Sequence, residues 1–271
     1  MPVGKKRAEL VLKSTCKSVI AKAVGISPKH LHRISKLDQK DELLKQQIIN
    51  VHKTHKAYGH RRVAWELNIN HKRARRVMKK FNLKPPRRKS HCYTTRSVFN
   101  HNYTNLIKNI TPSYPNHIWC SDVSYFKYQG KFWYLATIED LFTRRIMSAQ
   151  VGKFHNAKLI LKTINQAFEK TDQLPQYFHT DQGTEFMAKI CTKALEDKGI
   201  KVSVSAKASP WENGYKESFF GRFKDEFGDI NRFDTDTELI EEIYSQVHYY
   251  NYERRHTAHK VSPMTFARSF A

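Results

Sequence analysis

Ile118-Trp119-Cys120-Ser121-Asp122-Val123-Ser124-Tyr125-Phe126 decides how the rest of the chain reads. Its aromatic and β-branched residues suit a strand, yet it holds a carboxylate, Asp122, where strand propensity disfavours one. Tyr128-Gln129-Gly130-Lys131 supplies turn chemistry, Phe132–Ile138 a second strand and Arg145–Val151 a shorter third. Downstream the period changes. Asn156–Lys170 predicts a helix, with Ala157, Ile160, Leu161, Ile164 and Phe168 on one apolar stripe. Gln176–Thr180 reads as a strand, Thr184–Lys198 as a helix and Lys201–Val204 as a short strand. Asn213–Phe227 and Thr237–Tyr252 are the last helices. A meander followed by alternating helices and strands predicts an α/β mixed sheet with helices on both faces.

Upstream the pattern is helical and basic. Residues 17–36 read as two short helices with Gly25 at the turn and Ser27-Pro28 opening the second. This is helix-turn-helix spacing, and it places Lys29, His30, His32 and Arg33 on the second helix; an ordinary helical hairpin is the alternative. Residues 40–56 predict an amphipathic helix with Leu43, Leu44, Ile48 and Val51 on its apolar face. A second pair follows: His60–Leu67, a turn at Asn68-Ile69-Asn70, then His71–Phe81 with Asn70 as cap. Val63, Leu67, Val77, Met78 and Phe81 can face a core, while Lys72, Arg73, Arg75, Arg76, Lys79 and Lys80 cover the remainder. Such a helix repels itself, and phosphate contacts explain its charge better than stability does. Pro85-Pro86-Arg87-Arg88-Lys89 ends the helical region. The expected organisation is a helical, DNA-binding region at 1–83, a polar, basic linker at 84–115 and an α/β domain at 116–271.

Charge is distributed accordingly. The chain of 271 residues carries a net +23. Residues 1–115 hold 27 Lys and Arg against five acids, a net +22, so residues 116–271 are nearly neutral. This asymmetry is the footprint of a polyanion-binding module joined to a neutral one. With 39% hydrophobic and 12% aromatic residues the chain can bury a core and is not a disordered polycation. No apolar run has the roughly 18 residues of a membrane span, and no apolar core follows the basic N-terminus. Cys16, Cys92, Cys120 and Cys191 are far apart and form no CxxC pair, which argues against a disulfide framework and a zinc ribbon. His52 and His55 have ligand-like spacing, but no cysteine pair follows them. A cytoplasmic, nucleoid-associated protein is expected.

Three acids occupy positions that suit chemistry better than structure. Asp122 lies within a strand. Asp181 ends one, at the edge where open α/β sheets gather their sites. Glu217 sits on a helix where, at about 100° per residue, Asn213, Gly221 and Lys224 fall within roughly 40° of it. Phe219, Phe223 and Phe227 lie on another side and would pack the helix down. Three carboxylates from separate elements are what a two-metal phosphoryl-transfer site requires. Glu139-Asp140 competes, and reads as turn and capping chemistry or as outer support.

Several segments carry a family resemblance. His179-Thr180-Asp181-Gln182-Gly183-Thr184-Glu185-Phe186 and Ala208-Ser209-Pro210-Trp211-Glu212-Asn213-Gly214-Tyr215-Lys216-Glu217-Ser218-Phe219-Phe220 resemble the catalytic core of bacterial insertion-sequence transposases of the retroviral-integrase-like, two-reading-frame kind. Asp181 and Glu217 have 35 residues between them, the family's spacing. Trp119–Tyr125 matches the first aspartate segment. Tyr250-Asn251-Tyr252-Glu253-Arg254-Arg255-His256 with Ser262-Pro263 matches a C-terminal motif, and Tyr58-Gly59-His60-Arg61-Arg62-Val63 a helical segment before the core. Glu212 stands where the family more often has Asp, and Thr143-Arg144 where Ser-Arg is usual.

The resemblance implies a ribonuclease H-like catalytic domain that cleaves the ends of a mobile element and joins the freed 3′-OH to target DNA. Asp122, Asp181 and Glu217 would hold two Mg²⁺ ions, with Mn²⁺ as substitute. DNA contacts are expected from Lys29, His30, Arg33, Arg61, Arg62, Lys72, Arg73, Arg75, Arg76, Asn213, Lys216 and Lys224. Partners implied are double-stranded DNA at element ends and target, further copies of the chain, and an upstream-frame product or a frameshift fusion with it. Two other readings stay open: a DNA-binding regulator with an inert catalytic domain, and a nuclease that cuts without joining.

Overall fold

The computed structural model describes residues 36–86, 103–205 and 214–270, with the backbone alone at 214–217. The first helix pair expected at 17–36 lies outside the described residues. α1 (Lys36–Thr54), α2 (His60–Glu66) and α3 (His71–Lys80) form a helical unit around Leu44, Ile48, Val51, Tyr58, Val63, Ala74, Val77 and Met78. The turn between α2 and α3 is made as the sequence implies: Asn68 adopts a φ of 50°, and the Asn70 side chain accepts a hydrogen bond from Lys72 N at 2.8 Å. Leu43 departs from expectation and is exposed, whereas Asp41 is buried. The buried stripe of α1 is Asp41, Leu44, Ile48 and Val51. An acid can occupy it because Arg76 and Lys80 of α3 donate to its carboxylate, Arg76 Nη1 at 2.6 Å. These partners hold the Asp41 carboxyl at about 2, the Arg76 hydrogen bond outweighing the opposing effect of burial.

Five strands follow: β1 (Ile118–Tyr128), β2 (Lys131–Asp140), β3 (Ile146–Gly152), β4 (Tyr177–Thr180) and β5 (Lys201–Val204). Their order is β3-β2-β1-β4-β5, antiparallel across β3, β2 and β1 and parallel across β1, β4 and β5. The β1–β2 hairpin turns through Gln129 (φ 46°) and Gly130 (φ 76°), two consecutive left-handed residues that match strand twist. Residues 103–115, expected as linker, lie on the sheet instead. Val204 N donates to Thr104 O, and Ile107 and Ile110 pack on Ile118, Cys120 and Leu141.

The helices are α4 (Ala157–Glu169), α5 (Lys189–Glu196), α6 (Gly214–Phe227), α7 (Asp236–Tyr252) and α8 (Pro263–Arg268). Strand alternation sorts the core into two layers. Trp119, Ala136 and Ile138 pack with Ile160 and Ile164 of α4 and with Cys191 and Leu195 of α5. Phe126, Tyr128, Trp133 and Leu135 pack with Phe219, Phe220, Phe223 and Phe227 of α6 and with Leu239 and Ile243 of α7. Each Phe so buried contributes about 1.5–3 kcal/mol, so α6 is anchored by its aromatic side. The helix expected from Thr184 starts only at Lys189. Residues 184–187 turn instead, with Phe186 N and Met187 N both donating to Gly183 O.

Candidate active site

Asp122 sits in the middle of β1, paired across to Thr137 of β2, and its Oδ1 accepts from Val123 N at 2.7 Å. On the other side β1 runs parallel to β4, and Ile118, Trp119 and Cys120 pair with Tyr177, Phe178 and His179. Continuing that offset brings Asp122 level with Asp181, the residue after β4. Asp181 Oδ1 accepts from Gly183 N at 3.0 Å. Burial pushes the Asp181 carboxyl up, helped by the negative charge of Glu185 and offset in part by the Gly183 amide. Such a carboxylate is one that a cation would stabilise.

Glu185 and His155 complete this corner. His155 Nε2 and Glu185 Oε1 are 2.7 Å apart, and the His155 ring stacks on Tyr134 with centroids 5.2 Å apart. The Glu185 bond raises the His155 pKa, and the charges of Asp181 and Asp122 add to it. Burial is the largest single effect on Glu185 and opposes its ionisation, but the His155 bond, the Glu185 amide, the His155 charge and the Thr184 hydroxyl together leave the carboxyl below its ordinary range. Gly183 leaves room for this pair: a Cβ there would displace the Glu185 carboxylate and lie 3.0 Å from Asp181 Oδ1. The sequence put Glu185 in a quoted motif without assigning it a role, and nothing in it pointed to His155, whose place depends on the loop after β3.

Glu217 lies in the first turn of α6, whose Phe side is buried against β1 and β2. Two turns on and about 20° round the helix from Glu217, Lys224 Nζ donates to Tyr125 O at 2.8 Å and lies 5.0 Å from the Tyr125 ring centroid. No described atom lies within 4 Å of the position a Gly221 Cβ would take. Asn213 lies outside the described residues, and so do the side chains of Lys216 and Glu217. Among the described residues no three His, Cys, Asp or Glu side chains group as a metal site. Asp140 serves the fold: it is buried and accepts from Asn116 N, Phe142 N, Thr143 N and Thr143 Oγ1. His179 is buried with Nδ1 3.0 Å from Ser203 Oγ.

Residues 112–210 match the family model of the integrase core domain, and residues 198–263 match a second integrase core domain model. The 31 kDa protein of insertion element IS600 from Shigella sonnei is 31% identical over 253 residues, covering 88% of this chain and 92% of that one. The transposase for insertion sequence element IS904 from Lactococcus lactis is 30% identical over 237 residues, covering 83% and 93%. This chain belongs to the insertion-sequence transposases with an integrase core. It is therefore a DNA-processing enzyme by family. A chain of the simian T-cell lymphotropic virus intasome in complex with PP2A regulatory subunit B56 gamma matches with a TM-score of 0.50 at 17% identity, over 81% of this chain and 74% of that one. At that identity the likeness is one of fold, and the fold is ribonuclease H-like.

The basic residues of the transposase separate by environment. Arg61, Lys72, Arg73 and Arg75 are exposed on α2 and α3. Arg76, expected on DNA with them, spends both amino groups on Asp41. Arg62 is buried and donates to Thr257 Oγ1 at 3.1 Å, and Lys224 is committed to Tyr125 O. Lys29, His30 and Arg33 lie outside the described residues. His52 Nε2 is 3.0 Å from Tyr58 O and His55 Nδ1 is 2.8 Å from Tyr249 Oη. Cys120 and Cys191 are buried thiols, and burial raises Cys191 to about 11. Among the described residues no helix is long and apolar enough to cross a membrane.

Proposed function

We propose that this transposase cleaves the ends of a mobile DNA element and joins the freed 3′-OH to target DNA, with Asp122, Asp181 and Glu217 as its catalytic carboxylates. The observation that carries this reading is the common level of Asp122 and Asp181, beside a sheet face covered by the helix that bears Glu217. The donor set is all oxygen, and the Asp181 carboxyl is pushed up by burial and by Glu185. Both features fit a hard divalent cation, Mg²⁺ with Mn²⁺ as substitute. Bound by these three residues, two such ions supply Lewis-acid stabilisation of the attacking and leaving oxygens.

The chain's own groups do the positioning. Val123 N and Gly183 N fix one oxygen each of Asp122 and Asp181. The His155–Glu185 pair keeps a further carboxylate beside Asp181 from acting as an unbalanced charge. Hydrolysis of one phosphodiester frees a 3′-OH, whose attack on a second forms one P–O bond as another breaks, so ATP has no part. Residues 1–83 form the DNA-binding region, with Arg61, Lys72, Arg73 and Arg75 on phosphates; residues 116–271, with 103–115 packed on them, form the catalytic domain. Two element ends must be held together, so a homo-oligomer is the working form, with an upstream-frame product or fusion as a further partner in the cytoplasm and nucleoid.

The test incubates the full chain with Mg²⁺ and a labelled duplex carrying an element end. Nicked and joined products support the proposal. Binding without nicking would make the chain a regulator, and nicking without joining a nuclease.

A further inference from the structure

The segment 249–257, which contains the C-terminal motif Tyr250–His256, faces two ways. Towards the catalytic domain, Arg254 Nε donates to both carboxylate oxygens of Glu226, at 2.7 and 2.8 Å, with the side chains 1% and 5% exposed. Glu226 lies in the last turn of α6, nine positions after Glu217, or about 13.5 Å along the same helix at 1.5 Å per residue. Towards the helical unit, Arg255 N donates to Tyr58 Oη at 2.8 Å and Arg255 Nε donates to Glu66 Oε2 at 2.7 Å. Tyr249 Oη meets His55 Nδ1, and the His55 ring stacks on Tyr58 with centroids 4.2 Å apart. Consecutive residues, Arg254 and Arg255, thus hold the Glu217-bearing helix and the helical unit.

This is an expensive way to gain stability. Among the described residues Arg254 Nη1 and Nη2 are buried with no hydrogen-bond partner, and an apolar pair of the same volume often does as well as a buried ion pair. Burial, and then the neighbouring Arg254 and Arg222, pull the Arg62 pKa down to about 10, so the joint is crowded with cations around one well-placed carboxylate. What an ion pair adds over an apolar contact is a fixed geometry.

We propose that Arg254 and Glu226 are positioning residues that set the α6 helix, and with it Glu217, relative to the DNA-binding helical unit clamped by Tyr249 and Arg255. The proposal rests on the transposase reading above. It makes the C-terminal motif a mechanical joint: DNA held by α2 and α3 and the carboxylate on α6 are placed by one short segment.

The full chain carries the test. Tyr58→Phe with Tyr249→Phe removes two hydroxyls from the clamp and keeps both rings. Amides of α6 should then exchange with deuterium about tenfold faster while those of α4 and β1 keep their rates. On element-end DNA, Kd should stay within about twofold while kcat for nicking falls about tenfold. Arg254→Lys should retain more kcat than Arg254→Gln at equal DNA affinity. Unchanged α6 exchange overturns the joint, and so does a loss of kcat matched by an equal loss of affinity. If the double Tyr variant does not fold, Arg255→Gln, on the half-exposed pair with Glu66, is read by the same exchange. A wild-type chain that never nicks DNA defeats the transposase reading alone, since the exchange comparison needs no DNA.

Discussion

Asp122 and Asp181 are 59 positions apart, the offset that also relates Ile118 to Tyr177, Trp119 to Phe178 and Cys120 to His179 across β1 and β4. Parallel neighbours at one level stand about 4.8 Å apart and point to one face. Two carboxylates so placed can share a cation between them. Asp122→Asn, Asp181→Asn and Glu217→Gln should each abolish nicking and joining while leaving DNA binding intact, and a double variant should be scarcely worse than a single one. Near-normal joining by Glu217→Gln would mean that the third carboxylate lies elsewhere.

The same burial that raises the Asp181 carboxyl predicts a trade between stability and activity. A folded-state pKa above the ordinary value means that the ionised form is disfavoured in the fold at neutral pH. Asp181→Asn should therefore unfold at a higher temperature than the wild type, by about 2–4 °C per kcal/mol gained. Burial pushes the Asp140 carboxyl up as well, but its donors outnumber those of Asp181, so Asp140→Asn should lower the melting temperature. Its carboxylate accepts from four donors, and placing an NH₂ among them should cost about 1–3 kcal/mol with kcat close to normal. Thermal melts beside nicking rates separate the two aspartates.

His155 and Glu185 give a graded prediction. Glu185→Gln leaves His155 without its charged partner and Gly183→Ala drives a Cβ into the Glu185 carboxylate. Both should lower kcat, by about 10–100-fold as for other outer partners of metal ligands, with DNA affinity unchanged. Titration of Mn²⁺ by electron paramagnetic resonance should show weaker binding in both variants. Full activity in Gly183→Ala would show that the Glu185 position does not matter.

Asp41 supplies the pH dependence of the helical unit. Its carboxyl is at about 2 in the fold against an ordinary 3.8, so its contribution is complete above the ordinary value and disappears as pH falls to about 2. The melting-temperature gap between wild type and Asp41→Asn should be constant above pH 5 and close between pH 4 and 2. A gap that persists at pH 2 would mean that shape, not charge, sets the contribution of Asp41.

Arg75 and Arg76 are adjacent and should behave differently. Lys72→Ala, Arg73→Ala and Arg75→Ala should each reduce the slope of log K against log[salt] by about 1. Arg76→Ala should leave the slope nearly unchanged and lower the melting temperature, because its guanidinium belongs to Asp41. Equal slope changes for all four would place Arg76 on DNA.

Short-range features were legible in the sequence because neighbours along the chain fix them. The Gln129-Gly130 turn, the Asn70 cap, and the Ile160 and Ile164 stripe all appear in the fold where pattern and capping chemistry put them. The mixed sheet with helices on both faces followed from the alternation of elements, and the aromatic side of α6 from helical period. Asp122 and Asp181 stood out because acids at such positions serve a strand poorly. What the sequence could not carry was partnership between distant residues. Asp41 could not be seen as buried without Arg76 and Lys80, 35 and 39 residues away. Arg62 could not be told from a phosphate contact until Thr257 was found beside it. His155 gained a role only when the loop after β3 brought it to Glu185. A side chain's charge and period are local properties that a sequence contains. Which opposite charge meets it, and whether water is excluded there, depends on contacts across the chain, and those only the tertiary structure decides.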